Sequence, residues 1–225
     1  EFGGRLSEGA VAYPPDRVWG GIPTMAGQMP LLPMACLFPG DPERTYLKTW
    51  ELNILDTGIG MDFTSALVAG LAQALVVEED WDEVFQSMLN TDPYAYNEVP
   101  WVERRFKRWL GRALEIGRGD YESTAVFFSE LENRMEAETW WEAHVPMTIT
   151  FAILEYADYN PIAAMQLSLE FGRDTDSTAQ LMGAFLGAVY GLEIWSEEIR
   201  EPVERELNVQ YGVTVEDLLE VFSGE

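Results

Sequence analysis

From Asp41 to its end, this chain returns to an apolar residue every three or four positions, and nowhere do β-branched residues alternate with polar ones. That periodicity commits the polypeptide to helices and leaves no candidate for a sheet. Asp41-Pro42-Glu43 supplies a capping carboxylate, a proline at the first helical position and an acid in the first turn. Asn160-Pro161 repeats the cap and the proline, and Thr214 with Asp217 three residues on begins the last helix. Between such signals the pattern predicts helices over 41–52, 61–77, 81–89, 101–117, 121–136, 139–156, 161–171, 179–194, 198–207 and 215–222, with a short one near 28–37. The fold class read from this pattern is all-α, of about nine or ten helices in one domain spanning 1–225. Residues 1–40 are an irregular, Gly- and Pro-rich segment that also carries Met25, Met29 and Met34. So apolar a segment is expected to pack on the domain or line a pocket.

With 225 residues, 47% of them hydrophobic, the chain has ample material for a core. Its longest apolar run, over 181–192, is well short of the roughly 20 residues a membrane span needs, so it reads as a buried helix. Lys and Arg number 14 against 39 Asp and Glu, a net charge of −25. A field of that sign opposes bare nucleic acid and anionic membrane surfaces and attracts cations, while a solvated acidic surface also keeps a protein soluble. Cys36 stands alone, which excludes an internal disulfide and a cysteine metal cluster, and makes a reducing cytoplasm the expected setting. The opening Glu1-Phe2-Gly3-Gly4 has neither an initiator Met nor a leader pattern, so we expect a processed chain or a piece of a longer one.

Chemistry concentrates at Gly172-Arg173-Asp174-Thr175-Asp176-Ser177-Thr178, between two predicted helices. Asp174, Asp176 and Ser177 offer three oxygen ligands within four residues, suited to a hard cation such as magnesium, manganese or calcium. The same residue types also cap helices, and the spacing alone leaves both readings open. An EF-hand is excluded, because Ala179 and Phe185 stand where its glycine and terminal glutamate belong. Gly183, Gly187 and Gly191 follow at four-residue spacing. Glycine in a helix interior costs about 1 kcal/mol relative to alanine, so the stripe predicts close packing against another helix.

Taken together, 172–179 and the Gly/Ala-rich 183–191 resemble the C-terminal signature of the ADP-ribosylglycohydrolases, all-helical enzymes related to the dinitrogenase reductase-activating glycohydrolase. The resemblance implies an orthogonal helical bundle and a site in which Asp174, Asp176 and Ser177 help to hold two Mg²⁺ or Mn²⁺ ions. Arg173 replaces a common glycine of that signature. Weaker likeness runs through Pro39-Gly40-Asp41-Pro42, through Asp56-Thr57-Gly58-Ile59-Gly60-Met61-Asp62 and through 160–170. Family members also carry a Gly-Asp-Ala-Leu-Gly-like first helix and an Asp-Asp-Thr metal motif, and this sequence contains neither. The resemblance therefore places the catalytic acid and the other metal ligands upstream of Glu1.

The implied function is metal-dependent hydrolysis of an N- or O-glycosidic bond to ADP-ribose, on a modified protein or small molecule. No membrane partner is expected, and the sequence specifies no oligomeric state. The alternative is a non-catalytic relative serving as a binding or scaffold protein, and a third reading is an interaction protein whose aspartates only cap. Gly20, Gly21, Gly27 and Gln28 are candidates to bring backbone N–H groups to a diphosphate, against an alternative as plain turn residues. Asp56 falls in a block that faces the ribose in relatives, or else simply breaks the helix. His144, the single histidine, reads as structural. Arg104, Arg105, Lys107, Arg108, Arg112 and Arg118 read as a solvated face pairing with acidic neighbours, not as a nucleic-acid surface. Trp140, Trp141 and Trp195 read as core or helix-interface anchors.

Overall fold

A computed structural model describes residues 22–223. They form α1 (Gln28–Leu31), a 3₁₀ turn (Leu32–Leu37), α2 (Pro42–Leu52), α3 (Ile59–Ala74), α4 (Trp81–Asn90), α5 (Arg105–Gly117), α6 (Thr124–Arg134), α7 (Val145–Tyr156), α8 (Pro161–Phe171), α9 (Thr175–Tyr190), α10 (Glu197–Tyr211) and α11 (Val215–Ser223). The described residues contain no strand, and one isolated bridge joins Thr24 to Glu142. The all-α expectation holds.

Helices α3 and α7 form the centre, because their sequences are apolar or small on every face. Helices α2 and α4 pack on α3, while α5, α8 and α9 pack on α7. Edge-to-face rings tie the layers together: Phe85 of α4 lies 5.4 Å from Phe151 of α7, which lies 5.2 Å from Phe185 of α9. Helix α5 approaches α7 through Gly117, where an added Cβ would come within 2.6 Å of the Ala152 carbonyl oxygen. Across the outside run α10 and α11, and α10 contains no buried residue.

Three helix starts differ from the sequence reading by four residues or more. The expected 101–117 helix begins at Arg105, leaving Trp101 84% exposed. The chain ahead of it is extended at Arg104, whose guanidinium reaches the Asp62 carboxylate by bonds of 2.6 and 3.0 Å in the interior. Arg104 is thus removed from the proposed solvated face. Arg108, Arg112 and Arg118 do pair with acids, at Glu136 and Glu155. The expected 139–156 helix begins at Val145, because Pro146 fits only a first turn and disfavours helix before it. Trp141, left in that irregular stretch, is 60% exposed and is no core anchor. Helix α9 begins at Thr175, four residues before the expected start, so Asp176 and Ser177 lie in its first turn.

The glycine stripe is also corrected. A Cβ at Gly183 would meet only the Met165 methyl at 3.6 Å, and one at Gly187 would meet nothing within 4 Å. Gly191 has φ +82° and ends the helix, which needs the positive-φ freedom of glycine; a Cβ there would meet only the Glu193 carboxylate two residues on, at 2.7 Å, and no other helix.

Candidate functional site

Gly172 and Arg173 both have positive φ, +76° and +65°, and turn the chain from α8 into α9. For Arg173 the left-handed backbone costs on the order of 1–2 kcal/mol. Its side chain is held in compensation: two guanidinium nitrogens donate to Glu132 at 2.6 and 2.8 Å, over the Trp140 ring. The turn delivers Asp174 to the N-cap position of α9.

The other acidic and amide N-cap residues among those described cap their helices, although Ser196 at the start of α10 does not. Asp41 accepts the Arg44 N–H at 3.1 Å, Asp80 that of Glu83 at 2.9 Å, and Asn160 that of Ala163 at 2.9 Å. Asp174 has a non-helical backbone, as a cap should, yet its side chain accepts no N–H from α9. Its Oδ2 is buried and has no hydrogen-bond partner. Desolvation pushes the carboxyl above the usual carboxylate range; Ser177 donates to it and pulls it down, and the Asp176 carboxyl raises it further. Ser177 is buried, whereas Asp176 is exposed. Thr178 fixes the base of the turn, donating towards the Asp174 and Thr175 carbonyls at 3.2 Å and accepting from Ser168 of α8 at 3.4 Å.

The donor chemistry here is all oxygen, with one orphaned buried carboxylate atom, and it fits part of a site for a hard cation. Among the described residues no third carboxylate, histidine or cysteine completes a cluster around it.

The other predicted site residues assemble elsewhere. Gly27 donates its N–H to Asp56 at 2.9 Å, and the second Asp56 oxygen accepts from Asn53 at 2.7 Å and Thr64 at 2.6 Å. Burial raises the Asp56 carboxyl against these three bonds, which lower it. Gln28 is fully buried and donates to the Ala143 carbonyl at 2.6 Å. These residues form a polar knot that binds the incoming chain to α3 and to the residues just ahead of α7. The same segment touches α9 beyond the turn, where Gln180 donates to the Met29 carbonyl at 3.4 Å. Gly20 and Gly21 lie outside the described residues. His144 is structural as read: it stacks on Trp109 at 3.9 Å, its Nε2 lies 2.9 Å from the Met135 carbonyl, and burial lowers its pKa.

A sequence model of the family described as ADP-ribosylglycohydrolase matches residues 4–225. The chain belongs to that family. No curated protein and no solved structure matches it. Against the ADP-ribosylglycohydrolase signature, the geometry accounts for one departure: Arg173 occupies the place of a common glycine because Glu132 and Trp140 hold it there. Sequence reading missed both partners. Glu132 lies 41 residues upstream, in an ordinary acidic helix, and Trp140 has no periodic neighbour.

Proposed function

We propose that this ADP-ribosylglycohydrolase-family chain takes part in metal-dependent hydrolysis of a glycosidic bond to ADP-ribose, with Asp174, Asp176 and Ser177 holding Mg²⁺ or Mn²⁺. The observation that carries the reading is the carboxylate of Asp174, placed as a cap, buried at Oδ2 and bonded to no helix N–H. An aspartate serving only as a cap would satisfy that helix. When bound, such ions orient ribose hydroxyls and activate water in a reaction with an oxocarbenium-like transition state. The chain's own residues anchor and balance charge: Asp174 through its free oxygen, Asp176 from the solvent side and Ser177 by its hydroxyl. Gly27, Gln28 and Asp56 act one step removed, fixing the segment beside α9 that would flank the substrate.

The test is thermal unfolding of the full chain with increasing Mn²⁺ or Mg²⁺, alongside release of ADP-ribose from a modified protein. We expect the midpoint to rise with metal, corresponding to about 2.7 kcal/mol at a hundredfold excess over Kd. Asp174→Ala should abolish the rise. A midpoint independent of metal in both proteins would refute the site. One observation favours a second, non-catalytic reading: the described residues bring no third carboxylate to the turn. That reading predicts metal-dependent stabilisation without release of ADP-ribose.

A further inference from the structure

The turn that carries Asp174 is gripped by α6 on both sides of Gly172. Phe128 of α6 meets Phe171, the last residue of α8, edge-on at 5.3 Å. One helical turn further along α6, Glu132 accepts both guanidinium bonds of Arg173. Helix α6 is itself fixed in the core, where Phe127 stacks on Tyr156 of α7 at 4.0 Å and Leu131 is fully buried. It therefore splints the residues before and after Gly172 to the body of the molecule.

The splint matters because the turn is not a conformation that an arginine prefers. At φ +65° an L side chain is strained, and a released Arg173 would return to negative φ. A swing there moves the next residue, Asp174, out of the N-cap place from which its oxygens are aimed. Two groups oppose the swing. The Glu132 carboxylate takes two guanidinium nitrogens on one oxygen, and the Trp140 ring centroid lies 5.0 Å from the guanidinium carbon. An exposed ion pair alone contributes little, but here carboxylate and ring act together on one planar group.

We infer that Glu132 is a positioning residue for the Asp174 turn: through Arg173 it sets how often the turn presents Asp174, and hence the affinity for Mg²⁺ or Mn²⁺. Affinity scales with the fraction of molecules in the competent conformation. The second half rests on the metal-binding role proposed for Asp174, whereas control of the turn can be measured without metal.

The experiment compares the full parent chain with Glu132→Ala, Arg173→Gly and the double variant. Alanine keeps the α6 helix while removing the carboxylate. Amide exchange, followed by NMR without metal, reads the Thr178 N–H, whose bond to the Asp174 carbonyl is the first of α9. Calorimetric titration with Mn²⁺ reads the site. In Glu132→Ala we expect Thr178 exchange and the Mn²⁺ Kd each to rise roughly three- to tenfold, with the α7 amides unchanged. Glycine adopts positive φ without strain, so Arg173→Gly should bind Mn²⁺ about as well as the parent. In that background Glu132→Ala should change either reading by less than about twofold. Unchanged Thr178 exchange in Glu132→Ala would overturn the inference, as would faster exchange with an unchanged Kd. An equal loss in both backgrounds would also overturn it, making Glu132 a general support of α6. A parent that takes up no Mn²⁺ would refute the metal-binding role and the affinity effect with it, while the exchange comparison alone would still decide whether Glu132 positions the turn.

Discussion

Arg104 shows how a residue's company decides its role. Counted by sequence neighbours it belongs to a basic helix face, but it sits one position before that helix and turns inward. Its two bonds to Asp62, one to the Leu89 carbonyl and the Tyr46 hydroxyl donated to the same carboxylate at 2.7 Å make a closed polar cluster beneath α3. Removing one partner of a buried pair leaves the other charge uncompensated, at a cost of about 3–5 kcal/mol. Arg104→Met should therefore lower stability in urea by that amount, and a loss below 1 kcal/mol would show that the pair contributes little. Asp174 teaches the reverse lesson. Its type and position were legible, but whether it caps could be read only from where its oxygens point. Nor could sequence reveal that Asp56 is consumed by Gly27, Asn53 and Thr64, since none of those bonds follows from a periodic pattern.

At the level of the helices, the sequence was most readable where a local signal acts. Asp41-Pro42, Asn160-Pro161 and the Thr214–Asp217 box each begin a helix as their chemistry requires. Boundaries failed where a distant contact overrode periodicity, as at 101–104, or where a proline was read as interior, as at Pro146. The glycines illustrate the same division. Spacing singled out Gly183 and Gly187, whereas close approach occurs at Gly117, which belongs to no stripe. Gly117→Ala should destabilise by about 1–3 kcal/mol through collision with the α7 backbone. Gly187→Ala meets open space and should stabilise by up to about 1 kcal/mol. Chemical denaturation of the two variants decides it, and a loss at Gly187 would restore the packing role that its spacing suggested.

In the whole molecule, burial is concentrated on α3 and α7 and thins towards α10 and α11. Amide exchange should follow that gradient, with α3 and α7 protected up to the global unfolding free energy and α10 opening far more readily. Equal protection across all four would contradict it. None of the described helices is long and apolar enough to cross a membrane, and 181–192 is buried along one face only, through Leu181, Met182, Phe185, Leu186 and Val189, with Leu192 exposed. The segment that leads into the fold has a further consequence, in time rather than in space. Thr24 pairs with Glu142, Gln28 donates to Ala143 across 115 positions, and Met29 waits for Gln180 across 151. Those partners follow this segment by more than a hundred residues, so when the ribosome releases it they do not yet exist. Gly27 can find Asp56 only 29 positions on, but the bonds to Glu142, Ala143 and Gln180 complete the docking late in synthesis and slowly in refolding, because the intervening loop must close before they can form.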